Sequence, residues 1–334
     1  MIPTWANIVT KIPRLDAQDW HAMGLAKRWF VATRAAVFVM TLFSAGIGML
    51  LAIPASQFDV LNAGLVCLGL VMAHATNNLL NDWTDSKKGV DKDNYFRTQY
   101  GPQPLENGWL SERQMLGYIA LTGAAALAIG AVLIIRTDLN TLYFMLAGAF
   151  FVLFYTWPLK YIGLGEPAVW LVWGPLMVLG SAYVVSGELT AMQLWVSVVY
   201  GIGPTSVLLG KHTDKLNQDR AKGVHTLPVI LGEQGSRTLT LVLWVMQYGV
   251  LTLGVLTGAL SLWFLLVWLA LPRFIATVRK FRQPRPTERP ADVPEDVWPL
   301  YLVAFAFNYN KVFSAMLVLG IVFSLVIEYH DVFQ

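Results

Sequence analysis

The chain has 334 residues, of which 56% are hydrophobic and only 13% charged, with a formal net charge of +3. A water-soluble domain of this length carries roughly a quarter charged residues, so the composition excludes that class and defines a polytopic membrane protein. The single cysteine, Cys67, lies in an apolar run, which excludes disulfides and cysteine-rich zinc sites as sources of stability.

Residues 1–34 form an N-terminal segment with Lys11, Arg14, Asp16, Asp19, Lys27 and Arg28, and no short apolar core with a small-residue cleavage site precedes them. The chain is therefore expected to begin without a cleaved signal. Apolar runs of spanning length then follow at 35–54, 60–80, 115–135, 140–158, 167–187, 191–210, 238–257, 260–278 and 299–326. These predict an all-α bundle of about nine transmembrane helices over residues 35–328, with a tail at 329–334. With the N-terminus in the cytoplasm, the segments 1–34, 81–114, 159–166, 211–237 and 273–298 hold 22 of the 24 lysines and arginines. The opposite side holds only Arg136. This asymmetry predicts the orientation.

The connections on the basic side are the long ones, and long polar loops carry function more often than tight turns do. The loop at 81–114 holds Asp82, Asp85, Asp91, Asp93, Lys87, Lys88, Lys92 and Arg97, and the loop at 211–237 holds Lys211, His212, Asp214, Lys215, Asp219, Arg220 and Lys222. Their even placement suggests an internal duplication. Residues 279–298, rich in proline and arginine, read as an irregular cytoplasmic connection suited to anionic headgroups.

At 100° per residue His74, Asn78, Asn81, Asp82 and Asp85 fall in one stripe about 100° wide. Carboxylates at the mouth of a membrane helix are costly and are seldom placed there without use. The stripe offers oxygen ligands and side-chain amides, the chemistry hard cations such as Mg²⁺ take when they bridge carboxylates to substrate phosphates. Gly89 is expected to end the helix, leaving Asp91 to fold back. In the second motif Asp214 and Asp219 lie five apart, about 140° out of phase on a regular helix, so they reach one site only where the helix is broken. Solvated helix ends with ordinary ion pairs are the bland alternative for both motifs. Aspartates for metal together with many cations suit a diphosphate. No P-loop, serine nucleophile motif or zinc spacing among His74, His212 and His225 is present. In the last span Asn308, Asn310 and Lys311 predict either a cavity lining or a packing contact between helices. Phe150, Phe151, Phe154, Tyr155 and Trp157 are candidate walls of an apolar tunnel.

The stretch N-D-W-T-D-S-K-K-G-V-D, from Asn81 to Asp91, resembles the first aspartate-rich motif of the UbiA superfamily of intramembrane prenyltransferases, in the form of its dihydroxynaphthoate branch. Asp219 to Val229 with Gly232 resembles the tail of the second motif. Tyr155 to Lys160 is similar to the family's Y-x-x-P-x-K segment, Gly163 to Glu166 to its G-L-G-E, and Gly101-Pro102 with Gly108 to Ser111 also fits. The chain departs from the pattern at Pro104, where relatives often carry arginine, and at Lys215 and Leu216, where an aspartate is usual. The resemblance implies a membrane-open cavity capped by cytoplasmic loops. It implies Mg²⁺ held by Asn81, Asp82 and Asp85, with Asp214 and Asp219 at a second site, the four aspartates being catalytic. Lys160, Lys215, Arg220 and Asn78 are the implied contacts of the diphosphate. The implied partners are the lipid bilayer, a polyprenyl diphosphate and an aromatic acceptor such as 1,4-dihydroxy-2-naphthoate or a related quinone precursor, with no nucleic acid. Transfer to a non-quinone acceptor, a transporter or lipid-binding protein with an ion path, and a relative that has lost catalysis are the competing readings.

Overall fold

The computed structural model describes residues 3–10, 12–92, 101–295 and 297–328. Lys11, Asp93, Arg97 and the tail 329–334 lie outside the described residues. Among the described residues there is no strand, and eight helices are long and apolar enough to cross a membrane. They are α1 (Ala35–Ala52), α2 (Val60–Lys87), α3 (Glu112–Arg136), α5 (Gly165–Ser186), α6 (Ala191–Asp214), α7 (Leu227–Leu256), α8 (Leu262–Phe281) and α9 (Tyr301–Ile327), and the shorter apolar helix α4 (Leu139–Phe154) makes the ninth expected span. The expected order holds, but α2, α6 and α7 each run further into the polar connections than hydropathy suggested.

Local chemistry sets the helix starts. Asp59 and Asp138 cap α2 and α4, accepting from the Asn62 and Asn140 amides, and Ser111 and Thr190 form capping boxes with Gln114 and Gln193 at α3 and α6. Irregularities fall where the sequence breaks the ladder. A π turn at Val172–Leu176 contains Pro175, Gly232 interrupts α7 with φ 73°, and α8 begins as a 3₁₀ helix, Leu262–Ala270.

The helices pack α2 along α3, α1 against the second half of α5, and α6 against α5, α7 and α9. The main core lies around α6 and α9, with Tyr200, Trp244, Phe264, Tyr309, Phe313 and Leu317 buried together. Three short helices, Trp5–Thr10, Ala17–Ala22 and Leu25–Ala32, precede the bundle. They pack Ile8, Trp20, Met23 and Val31 against Leu79, Leu110 and Met115, tying the N-terminal segment to α2 and α3.

The segments expected on one side of the membrane meet at one end of the bundle. Arg34 pairs with Asp82, Lys160 with Asp85 and Arg285 with Asp214. Lys222 Nζ donates to the carbonyls of Gly89 at 3.0 Å and Lys92 at 2.9 Å, joining the two acidic loops directly. At the other end Arg136 pairs with Asp59 at 2.7 Å. The 279–298 connection is irregular after Phe281, as expected, but it folds back onto the bundle: Arg285 N donates to Glu233 Oε1 at 2.7 Å.

Candidate active site

The stretch Asn77 to Lys87 contains neither proline nor glycine, so α2 continues past the apolar run and stops only at Gly89, whose φ is 66°. Val90 N donates to the Asp85 carbonyl at 2.9 Å, and the chain then turns so that Asp91 is buried. The amides of the polar stripe fasten α2 to three other elements. Asn77 Nδ2 donates to the Val152 carbonyl, Asn78 Nδ2 to the Thr33 carbonyl and Asn81 Nδ2 to Thr156 Oγ1, at 3.0, 2.8 and 3.1 Å. Asn78, expected against the diphosphate, thus spends its donor on the segment that presents Arg34. The amide oxygen of Asn81 is not used in that bond.

Asp82 and Asp85 are both buried, and each accepts from a buried cation. Arg34 donates to Asp82 Oδ1, and Lys160 Nζ donates to both oxygens of Asp85 at 2.7 Å. Removing one partner of such a pair strands the other charge and costs about 3–5 kcal/mol. Arg34 is the site residue that the sequence reading missed. It sits in the left-handed region (φ 55°, ψ 52°) between the Leu25–Ala32 helix and α1, a conformation uncommon outside glycine. That kink aims its side chain at α2. Gly101 packs over it: a Cβ there would lie 3.8 Å from Arg34 Nε and 3.1 Å from Ile12 Cγ2, and its φ of 145° also disfavours other residues. Pro104, in the position of the missing arginine, forms a turn whose carbonyl accepts from Trp109 N and Leu110 N.

The second motif departs from expectation. α6 is interrupted at Lys215, and a short helix, Leu216–Ala221, follows. The interruption does not bring Asp214 to Asp219. Asp214 turns instead to the start of α9, where Oδ1 accepts from Leu302 N at 2.9 Å and from Arg285 Nε at 3.1 Å, and Oδ2 from Val303 N at 3.0 Å. It satisfies orphan amides of the first turn of α9 and its charge suits that helix end. Gly210 permits this approach, since a Cβ there would lie 3.0 Å from the Leu302 and Val303 backbone. Asp214 is therefore a capping group for α9, with both carboxylate oxygens engaged there. Arg220 is also displaced. Its neighbour Asp219 faces inward, and a step of 100° along the short helix leaves Arg220 exposed.

Asp219 is 1% exposed and accepts from Lys215 Nζ at 2.9 Å through Oδ1, while Oδ2 is buried without a hydrogen-bond partner among the described residues. The remaining groups converge electrostatically. Burial pulls the Lys160 ammonium below the ordinary lysine range; Asp85 and Asp219 oppose this, and Lys215 adds to it. Burial holds the Tyr161 hydroxyl above the tyrosine range, aided by the charges of Asp85, Asp91 and Asp219. Asp85 and Asp219 therefore share one neighbourhood. Nearby, His212 Nδ1 and Glu166 Oε1 form a buried pair at 2.6 Å.

Below the charges lies an apolar cavity of about 290 Å³ among α2, α3, α4 and α5. Asn77 and Tyr155 line its charged end and Leu133, Thr141 and Val184 its far end, while the lining residues Leu127 and Leu153 are exposed, so it opens to the outside of the bundle. From Val66 to Asn77 it follows roughly 16 Å of α2. Phe151 and Tyr155 line this cavity, whereas Phe150, Phe154 and Trp157 face outward. Asn308 and Lys311 are exposed on α9, with Lys311 Nζ 5.2 Å from the Phe307 ring centre, so they line no interior cavity. Asn310 is the buried member of that trio.

The donor set fits a hard cation: carboxylates of Asp82, Asp85, Asp91 and Asp219 and the amide of Asn81 are all oxygen ligands. Among the described residues no three acidic, histidine or cysteine side chains converge on one point.

A family model described as the UbiA prenyltransferase family matches residues 39–293. The chain belongs to this family and is a membrane prenyltransferase. It is 27% identical over 262 residues to the 1,4-dihydroxy-2-naphthoate octaprenyltransferase of Escherichia coli K12, covering 75% of this chain and 83% of that one. Identity is 23% to the protein of the same name from Bacillus subtilis 168, covering 65% and 69% of the two chains. It is 24% to the UbiA prenyltransferase domain-containing protein 1 homolog of Drosophila melanogaster, covering 68% and 63%. Among solved structures, the apo UbiA homolog from Aeropyrum pernix K1 superposes with a TM-score of 0.63 at 20% identity, covering 85% of this chain and 98% of that one. A UbiA homolog from Archaeoglobus fulgidus bound to DMAPP and Mg²⁺ superposes with a TM-score of 0.57 at 15% identity, covering 87% and 99%. At these identities the structural likeness establishes the fold.

Proposed function

We propose that the chain transfers a polyprenyl group from an allylic polyprenyl diphosphate to an aromatic acceptor in a Mg²⁺-dependent reaction. The acceptor class we assign is 1,4-dihydroxy-2-naphthoate or a related quinone precursor. The observation that carries this reading is the join between Asp82, Asp85, Lys160 and Asp219 and the charged end of the apolar cavity. A diphosphate headgroup fits the charges, and its prenyl tail fits the cavity.

In this reading Asn81, Asp82 and Asp85 hold Mg²⁺, with Asp91 beside them. A Mg²⁺ held there would supply charge neutralisation for the leaving diphosphate. Lys160 and Lys215 donate to its oxygens as charge leaves the allylic carbon, and Asp85 and Asp219 keep both ammonium groups aimed. Diphosphate leaves with the electron pair of the C–O bond, and an aromatic carbon of the acceptor then forms the new C–C bond and releases its proton. The apolar walls around Phe151, Val152 and Val172 shelter the allylic cation from water. The distribution of lysine and arginine supports placing this end of the bundle at the cytoplasmic face of the cell membrane.

The names of the Escherichia coli and Bacillus subtilis relatives support the naphthoate acceptor. The departures at Pro104 and Lys215 favour, as the second reading, the same transfer to a non-quinone acceptor. Paired charges at the midplane, which a transporter path would need, are not what the described residues present: the buried ion pairs lie at one end. The test is incubation of detergent-purified protein with Mg²⁺, several prenyl diphosphates and a panel of aromatic acceptors, read by mass spectrometry. A prenylated naphthoate is expected. Turnover of the donors with other acceptors alone establishes the second reading, and failure to consume any allylic diphosphate overturns both.

A further inference from the structure

Two acidic motifs suggest two metal ions, yet the second motif keeps one carboxylate for the site. Asp214 gives Oδ1 to Leu302 N and Arg285, and Oδ2 to Val303 N. Asp219 remains, with Lys215 Nζ on Oδ1 at 2.9 Å, and the two side chains are 0% and 9% exposed respectively. The four-residue spacing and the break in α6 fix this pairing, because Lys215 ends one helix and Asp219 stands one turn later on the next. Lys215 is also close enough to Lys160 to disfavour its charge, and each ammonium contacts one carboxylate, Lys160 that of Asp85 and Lys215 that of Asp219.

We propose that the Lys215 ammonium takes the place of a divalent ion at the second motif, so that this chain loads its diphosphate with one metal ion, at Asn81, Asp82 and Asp85. The inference rests on the diphosphate-transferase reading and deepens it. An ammonium is a compact charge with three donors, suited to phosphate oxygens. It supplies part of what a metal supplies at that position and needs no ligand shell. A second divalent ion would have to sit against Lys215 and Lys160 with Asp219 as its carboxylate, repelled by both cations. The first motif also meets cations, Arg34 on Asp82 and Lys160 on Asp85, but it offers two carboxylates and the Asn81 amide oxygen to hold an ion where the second offers one carboxylate. Oδ2 of Asp219, buried and without a hydrogen-bond partner among the described residues, keeps a negative charge beside that ammonium when phosphate oxygens replace Oδ1 as its acceptor.

The test is a Mn²⁺ titration of the full chain in detergent, followed by electron paramagnetic resonance, with geranyl S-thiolodiphosphate as an uncleavable donor. One bound Mn²⁺ per chain is expected for the wild type, and two overturn the proposal while leaving the transferase reading intact. No binding of Mn²⁺ with the analogue would sink the transferase reading itself, and this inference with it. Lys215→Asp is expected to bind a second Mn²⁺. If it folds by size-exclusion chromatography and still binds one, Lys215 is not what displaces the second ion. Lys215→Gln is expected to keep one Mn²⁺ and to bind the analogue roughly tenfold more weakly, the loss of a charge-assisted hydrogen bond; unchanged affinity contradicts the role.

Discussion

Lys160 Nζ lies 2.7 Å from both oxygens of Asp85, bridging the turn after α4 to the last turn of α2. The contact ties these two segments together. Arg34 does the same for Asp82 and Lys215 for Asp219. Asp82, Asp85 and Asp219 are each matched by a cation, so in the proposed reaction phosphate oxygens would take over the ammonium groups and a metal the carboxylates of Asp82 and Asp85. Buried unpaired charge is thereby avoided in both states.

Asp82→Asn and Asp85→Asn should each lower prenyl transfer by at least about 10²-fold, the scale of losing one preorganised charge at a reacting centre. Both variants should also weaken Mn²⁺ binding in the presence of a diphosphate analogue. Product analysis by mass spectrometry checks the first expectation and spin resonance the second; retained turnover in either variant argues against the site.

Asp214 and Asp219 should separate cleanly. Asp214→Ala leaves Arg285 and two amides of α9 without their acceptor, and should cost about 3 kcal/mol of stability. Asp219→Asn strands the buried Lys215 ammonium and should lower stability as well, but unlike Asp214→Ala it should also lower turnover of the folded protein by about 10²-fold. If Asp214→Ala unfolds like the wild type and instead loses metal binding, the capping assignment is wrong.

Ala126 lines the cavity on α3. Ala126→Trp fills space that a long prenyl chain would need and leaves the charged end untouched. Turnover with dimethylallyl diphosphate should survive while that with longer donors falls by about tenfold or more, a loss of over 1.4 kcal/mol of tail burial. Equal losses for short and long donors would place the tail elsewhere.

The Lys160 linkage has a definite sign. Burial lowers its pKa from the ordinary 10.5, so at pH values between the two the unfolded chain holds a proton that the folded chain has lost. Stability at this group therefore rises with pH through that window, and the penalty of burial is fully present below the lowered value. Lys160→Arg keeps a cation against Asp85 but holds its proton throughout. Chemical unfolding in detergent as the pH approaches 10.5 from below should show the rise in the wild type and lose it in the variant. Parallel slopes would contradict the assignment.

The parts of the site that could be read from the sequence are those whose partners are close in the chain. Asp82 and Asp85 share a face because helical spacing puts them there, and Gly89 marks the end of their helix. The basic loops betrayed which connections lie together, and Lys222 resting on Gly89 and Lys92 is the physical reason. Long-range partners were invisible. Asp214 has the composition of a ligand, and only the amides of Leu302 and Val303, 88 and 89 positions away, reveal it as a cap. Arg34 carries no motif; its position just before the first apolar run was the one available hint, and its left-handed backbone could not be inferred. The pairing of His212 with Glu166, 46 positions apart, was hidden for the same reason.

Arg34 also gives the first thirty-odd residues a meaning beyond anchoring. Trp20 stacks on Trp109 at 5.6 Å, and Ile8, Met23 and Val31 grip α2 and α3, so the guanidinium opposite Asp82 is delivered by a strap lying outside the transmembrane bundle. A shortened protein starting at Ala35 would keep the eight long apolar helices and the aspartates from Asp59 onward, yet lose the guanidinium that pairs with Asp82. In the proposed reaction, anything that pulls on this amino-terminal strap would act on the Arg34–Asp82 pair and so on turnover.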